Sequence, residues 1–385
     1  MKKLFLSHYS LHASEVHRLA EELRFRGVEP WVDKQGGFSV AESSATEAER
    51  AIAQDCCGLL LYATKDVFGR SFVTDHEVKP ALAVKANNPG FLLLAVPRDL
   101  GFSDLSSLSF ETYGVDLSAY HTVPLPKDSD FECDVKRVAD EVTRKVVKDL
   151  PELVSQDLII QFSSIEAFPS INGEHLFIDA RSAYLDDSTP ESFDRLIHGM
   201  RSLKREIVSR YGRPKIRVEG FKHLSAAFAF GRVFQPFTLN IRQTPDSFWQ
   251  SDHPFTKRRE LSETLYIERD SVILAIEITS RYKELSDDVD QSLKQSGRFS
   301  RLVLKPDDPL EVNAELCCAL ADQCYSAIEM AVLKTKPREI HLFSAAPQAL
   351  LMMIGRKFAG MPKTFAYDYR DGLYGTPKLI PSGPL

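Results

Sequence analysis

Apolar residues come along this chain in short runs separated by segments of helical period, and their order predicts an alternating β/α architecture. Lys3-Leu4-Phe5-Leu6-Ser7 is an apolar strand running into the polar turn His8-Tyr9-Ser10. Val16, Leu19, Ala20 and Leu23 recur at helical spacing over residues 12–26, and Gly27 stands where a helix closes on its C′ residue. Val28–Asp33 reads as a second strand, with Pro30 suiting an edge position. A helix over 45–55, a strand over 58–62, a helix around 71–86 and a strand over 91–96 continue the series. An amphipathic helix from about 131 to 150 closes it, and the unit is predicted to be a flavodoxin-like doubly wound domain over residues 1–150.

Further along, the pattern repeats itself. Ile216–Phe234 and Ile340–Phe358 align without a gap at an offset of 124. Ile216 meets Ile340, Gly231 meets Gly355, Arg232 meets Arg356 and Phe234 meets Phe358, with apolar residues on both sides between them. Downstream, at an offset of 128, Phe237, Leu239, Ile241 and Arg242 meet Phe365, Tyr367, Tyr369 and Arg370. Upstream, Leu176–Asp179 aligns with Leu274–Glu277 at an offset of 98. Residues 158–385 are therefore predicted to hold two Rossmann-like β-α-β-α-β halves, about 172–243 and 271–371, packed as a pair. Val146–Asp157, charged and broken by Pro151, is the expected boundary between the two domains.

Composition narrows the class. At 385 residues, 43% hydrophobic and 26% charged, the chain has mass for two or three globular domains. No uninterrupted run reaches 18 apolar residues, and Met-Lys-Lys-Leu-Phe-Leu-Ser-His is too short for a signal peptide. The six cysteines include two adjacent pairs and no Cys-x-x-Cys, so neither a disulfide framework nor a zinc site is expected, and the cytoplasm is the expected setting. The histidines show no metal-ligand spacing either, so no metal is expected. A net charge of −6 argues against binding long nucleic acid, though not against a small anion in a local pocket.

In parallel sheets of this kind, ligands sit beyond the carboxyl ends of the strands. In the N-terminal domain that places His8 and Tyr9 at a candidate site, with Trp31 on the second strand. The glycine-rich loop over 34–39 adds the exposed aromatic Phe38. In the duplicated part the strand ends carry Arg181 and Ser182, Lys222, Ser280 and Arg281, and Ser344 and Pro347. Arg181 is expected opposite Arg281 and Ser182 opposite Ser280, so that two mouths share one pocket with duplicated donors. Small turn residues there bring backbone N–H groups and helix N-termini close to phosphates. The insertion 244–260 holds Trp249 beside Arg258 and Arg259, aromatics and cations suited to base stacking and phosphate pairing.

These residues carry two family resemblances. Phe5–Ser10 resembles the first box of TIR domains, Val28–Phe38 their second strand and following loop, and Ser71–Val78 the segment where an aromatic residue precedes a helix-borne glutamate. In the catalytic branch of that family the glutamate drives cleavage of NAD, and here it falls on Glu77. Val73 departs from the family, standing where many members carry tryptophan. The resemblance implies an NAD+ hydrolase releasing nicotinamide, with Ser7, His8, Tyr9, Trp31, Lys34 and Phe38 around a bound NAD. NAD is then the substrate and no cofactor is required. The chemistry is consistent, since a carboxylate near the ribose stabilises an oxocarbenium-like transition state.

Residues 158–385 resemble SAVED domains, fused pairs of CARF-like sheets that sense cyclic oligonucleotides in bacterial anti-phage signalling (CBASS). The turn Phe343-Ser344-Ala345-Ala346-Pro347, the strand Phe365–Tyr369 and the tail Gly375–Leu379 carry this resemblance. Together they imply an anti-phage effector activated by a cyclic oligonucleotide, with a trinucleotide as the expected ring. Head-to-tail self-association into an oligomer or filament is expected, with no membrane partner. Two other readings remain open: a TIR scaffold in which Glu77 does no chemistry, and a C-terminal half that degrades its own ligand.

Overall fold

The computed structural model describes residues 3–32, 41–126, 130–153, 157–165, 175–185, 189–244, 247–256, 261–280, 285–306, 312–370 and 373–380. The chain forms two compact units. One comprises Met1–Glu152 with Ser170–Asp179 and Arg205–Arg210, and the other Leu153–Pro169, Ala180–Lys204 and Tyr211–Leu385.

The N-terminal unit is built on β1 (Lys3–Ser7), β2 (Pro30–Trp31), β3 (Cys56–Ala63), β4 (Leu92–Pro97) and β5 (His121–Thr122). They form one sheet in the order β2-β1-β3-β4-β5, and every pairing in it is parallel. The strands are apolar on both faces because helices cover both. Leu4, Leu6, Leu60 and Leu94 pack under α1 (Ala13–Phe25) and α5 (Phe131–Lys148). Phe5, Leu59, Leu61 and Leu93 pack on the other side with Ile52, Val78, Ala81 and Leu105. That side carries α2 (Ala41–Arg50), α3 (Lys79–Asn87) and α4 (Phe102–Tyr113). Gly27 follows α1 at φ 78°, the left-handed C′ position its place in the sequence predicts. The expected helix around 71–86 is present, and it opens on a wide π-helical turn, Val73–Val78, leading into α3. The sequence pattern also missed α4 and β5, the latter only two residues long.

Strand β7 (Leu176–Asp179) falls in the first unit, and in the C-terminal unit β6 (Leu158–Ser163), β8 (Ile216–Glu219), β9 (Leu239–Thr244) and β10 (Ser247–Gln250) follow the sheet order β10-β9-β8-β6. The second sheet has the order β11-β13-β12-β14-β15-β18. Its strands are β11 (Ser262–Tyr266), β12 (Ile273–Thr279), β13 (Ser300–Lys305), β14 (Glu339–Ala345), β15 (Lys363–Ala366) and β18 (Lys378–Ile380). A small hairpin joins β16 (Tyr369–Arg370) to β17 (Leu373–Tyr374). Helices α6 (Pro190–Tyr211), α7 (Leu224–Val233), α8 (Ser286–Leu293), α9 (Ala314–Thr335) and α10 (Gln348–Lys357) connect them. α9 is long and apolar enough to cross a membrane, but Cys317, Leu320, Ala321, Cys324 and Ile328 are buried in the unit's core.

The sheet register corrects the alignment of the two halves. Leu158 stands opposite Ile216, as Leu274 stands opposite Ile340. The counterpart of β12 is therefore β6, at an offset of 116 (274 − 158), and not Leu176–Asp179. The first half begins at β6 rather than near residue 172. A four-residue apolar strand ending in an acid holds too little information to select its partner, whereas hydrogen-bond register does. The equivalence extends to single bonds: Ser164 N–H donates to Phe221 O at 3.0 Å, and Ser280 N–H to Ala345 O at 3.3 Å.

The halves meet where α7 crosses α10, and glycines make the crossing. A Cβ on Gly231 would lie 2.0 Å from Met352 O, and one on Gly355 would lie 2.3 Å from Phe228 O. At the offset of 124 Gly231 matches Gly355 and Phe228 matches Met352, so each helix offers the other the same contact. This is the signature of a twofold relation.

Candidate functional sites

The first site stands at the carboxyl end of β1. Ser7, buried at the strand's last position, donates from Oγ to Glu77 Oε2 at 2.5 Å. Glu77 lies in the π-helical turn, which turns Val73, Thr74, Glu77 and Val78 inward together. Such turns widen the helix by one residue and recur at functional sites. Glu77 is 7% exposed, so its carboxylate is largely screened from water. Tyr113 shares this environment: burial pushes its hydroxyl up to about 12, and the Glu77 charge adds in the same direction. Sequence reasoning missed Tyr113, which sits on α4, an element it did not predict.

The remaining residues of this site are placed unevenly. The Arg70 guanidinium lies 3.9 Å from the centre of the Tyr9 ring. His8 donates from Nδ1 to Leu6 O at 3.3 Å. Trp31 stacks on Phe5, centroids 4.4 Å apart and planes 16° from parallel, so one face of the indole is spent on the core. Lys34 and Phe38 lie outside the described residues. Among the described residues, no group of three or more His, Cys, Asp or Glu side chains is placed to hold a metal ion.

The second site lies at the strand ends of the C-terminal unit. Tyr184 and His223 stack with centroids 4.2 Å apart and planes 6° from parallel. His223 also bonds Ser164 twice, through its backbone N–H at 2.8 Å and Nδ1 at 3.0 Å. Tyr184 OH donates to Ser225 Oγ at 2.8 Å, and Ser225 N–H donates to Asp368 Oδ1 at 2.9 Å. Lys378 Nζ stands 5.3 Å from the Tyr184 ring and 3.3 Å from Ala183 O. Phe221 is half exposed beside this cluster. Ser182, Ser344 and Gln348 each have a buried side-chain oxygen without a hydrogen-bond partner.

Residues 200–376 match the family of the SMODS-associated and fused to various effectors sensor domain, SAVED. The match covers 177 residues (376 − 200 + 1), just under half of the chain. Two curated relatives, CD-NTase-associated protein 4 of Moraxella osloensis and of an Acinetobacter species, are each 23% identical over 189 residues. That match covers 48% of this chain and spans 40% and 41% of those relatives' lengths. Among solved structures, the Acinetobacter baumannii Cap4 SAVED/CARF-domain-containing receptor with the cyclic trinucleotide 3′3′3′-cAAA is similar at a TM-score of 0.52. It is 15% identical, with 88% of this chain and 85% of that chain covered. The same receptor with 2′3′3′-cAAA gives 0.50 at the same identity and coverage.

The strand ends of the C-terminal unit differ from the symmetric pocket that the sequence suggests. With β6 equivalent to β12, the counterpart of Ser280 is Ser164, so Ser182 is not the partner of Ser280. The pairing of Arg181 with Arg281 rested on the same alignment; Arg281 lies outside the described residues, as do Arg258 and Arg259. Lys222 folds inward, donating to Gly220 O at 2.5 Å, and burial pulls its amine down to about 7. Trp249 is buried opposite Ile241, while Arg217 and Arg242 stand over its neighbour Phe248. Alternation along the strand sends those two aromatics to opposite faces, so Trp249 is a core residue. Ser164, Tyr184, His223 and Asp368 went unrecognised because their only signal is their meeting, together with Ser225, across 39 to 143 positions of chain (223 − 184, 368 − 225). A hollow of about 410 Å³ lined by Asp252, His253, Phe255, Met353 and Arg356 lies at the opposite end of α10 and contains none of these residues.

Proposed function

We propose that the chain is an NAD+ hydrolase of the TIR type, switched on when a cyclic oligonucleotide binds its SAVED domain, and that it acts in CBASS anti-phage defence. The observation that carries the enzymatic half is the buried Ser7–Glu77 hydrogen bond at the carboxyl end of β1. It fixes a carboxylate at the place where doubly wound sheets bind ligands, with Tyr9 and Arg70 beside the same strand end. The all-parallel order β2-β1-β3-β4-β5 is the order of flavodoxin-like folds and supports the same reading. Glu77 then stabilises positive charge at the ribose carbon as nicotinamide leaves, and water completes the hydrolysis. Ser7 holds the carboxylate in place through Oε2.

The sensing half rests on the SAVED domain and on relatives solved with cyclic trinucleotides. Activation proceeds through ligand-driven head-to-tail association, which brings Phe38 to a neighbouring copy. The test is nicotinamide release from NAD by the intact chain, with and without a panel of cyclic di-, tri- and tetranucleotides. Release only with a ligand that also raises the melting temperature is expected. A ligand that binds tightly and elicits no release would identify a scaffold instead.

A further inference from the structure

The twofold relation of the SAVED halves breaks down at the helix N-termini. Resting on the reading that this domain takes an anionic cyclic oligonucleotide, we propose that only α10 seats a ligand phosphate, while α7 is closed to phosphate by Asp368. At α7 the carboxylate of Asp368 accepts from both Ser225 N–H, at 2.9 Å, and Ser225 Oγ. A negative group already lies on the positive end of that helix, and Tyr184, stacked on His223, donates to the same Ser225 hydroxyl. A phosphate brought there meets a like charge.

The equivalent position at α10 is open. Its N-cap is Pro347, which offers no side-chain cap, and the turn before it is Ala345-Ala346 in place of Phe221-Lys222. Ser344, equivalent to Gly220, is 4% exposed, and its Oγ has no hydrogen-bond partner. Along β14, Phe343 packs with Val289 and Leu293 of α8. Alternation therefore turns Ser344 to the opposite face. Right-handed crossovers place α10 there, because α8 and α10 link strands stepping in opposite directions across the sheet. Gln348, the first residue of α10, likewise holds a buried Oε1 without a partner. A buried hydroxyl left unbonded is costly, and a phosphate oxygen at an uncapped helix start satisfies it. The ligand thus sits off the pseudo-twofold axis and is read from the β14–α10 half.

The test uses the intact chain and 3′3′3′-cyclic triadenylate in isothermal titration. Ser344→Ala is expected to weaken binding about tenfold, the effect of losing one hydrogen bond to a charged acceptor. Asp368→Asn, which keeps an acceptor for Ser225 and removes the charge, is expected to bind as tightly as wild type or several-fold tighter. Wild-type affinity in Ser344→Ala, or a tenfold loss in Asp368→Asn, would overturn the proposal. A second arm follows backbone amide shifts on adding inorganic phosphate. Shifts at Gln348 without shifts at Ser225 support the α10 seat; equal shifts at both, or none at Gln348, overturn it. If the wild-type chain binds no cyclic oligonucleotide, the functional reading fails while the phosphate arm still decides the seat.

Discussion

Gly231→Ala places one methyl group into the crossing of α7 and α10, and the structure sets its cost. The new Cβ would lie 2.0 Å from Met352 O, 2.8 Å from Met352 C and 2.9 Å from Met352 Cα, where ordinary contact begins at 3.4 Å. The shortfall is 1.4 Å (3.4 − 2.0) against backbone, which has no rotamer through which to yield. α7 must back away along a length in which Ser225–Val233 are all buried, loosening packing on both sides. Overpacking of this kind costs roughly 3 kcal/mol, the upper part of the usual range. For a unit of this size that corresponds to a fall of about 6–12 °C in Tm. Gly355→Ala, meeting Phe228 O at 2.3 Å, should fall in the same range. Once one methyl has parted the helices the second has room, so the double variant should lose clearly less than the sum. Scanning calorimetry of the intact chain measures all three, with the N-terminal unit's transition as an internal control. Single variants within about 2 °C of wild type, or a strictly additive double variant, would refute the close crossing.

Three further outcomes are expected. Glu77→Gln keeps an acceptor for Ser7 and removes the charge, so it should abolish NAD cleavage while leaving folding and ligand binding intact; near wild-type nicotinamide release from the activated variant would end the catalytic assignment. The Lys222 amine, at about 7 in the fold against 10.5 when free, holds fewer protons folded than unfolded between those values. Its contribution to stability therefore rises with pH from about 7 to 10.5, by at most ~1.4 kcal/mol per pH unit, and denaturant titrations of Lys222→Met should lack that rise. Wild-type and variant curves that stay parallel across the window would place the amine in water. Finally, NADase activity at saturating ligand should climb more steeply than linearly with protein concentration, and Phe38→Ala should lose activity while still assembling by light scattering; a fully active species sedimenting as a monomer would exclude the assembly step.

What the sequence determined by itself was whatever local periodicity or self-similarity could encode. Apolar runs placed β1, β3 and β4, helical spacing placed α1 and α5, and Gly27 marked the end of α1. The match of Gly231-Arg232 to Gly355-Arg356 announced two related halves before any sheet was drawn. The residues around Glu77 singled it out as a candidate. Only the tertiary structure decided which strands are equivalent, because β6, β7 and β12 are alike as short apolar strings and differ in the neighbour each bonds. Packing also sent Trp249 to the core, folded Lys222 back onto Gly220 O and spent one face of Trp31 on Phe5. The sharpest case is Asp368. Nothing near it in the chain marks it as the cap of a helix that begins at Leu224, since a carboxylate finds an N-terminal amide through space and leaves no period in the sequence.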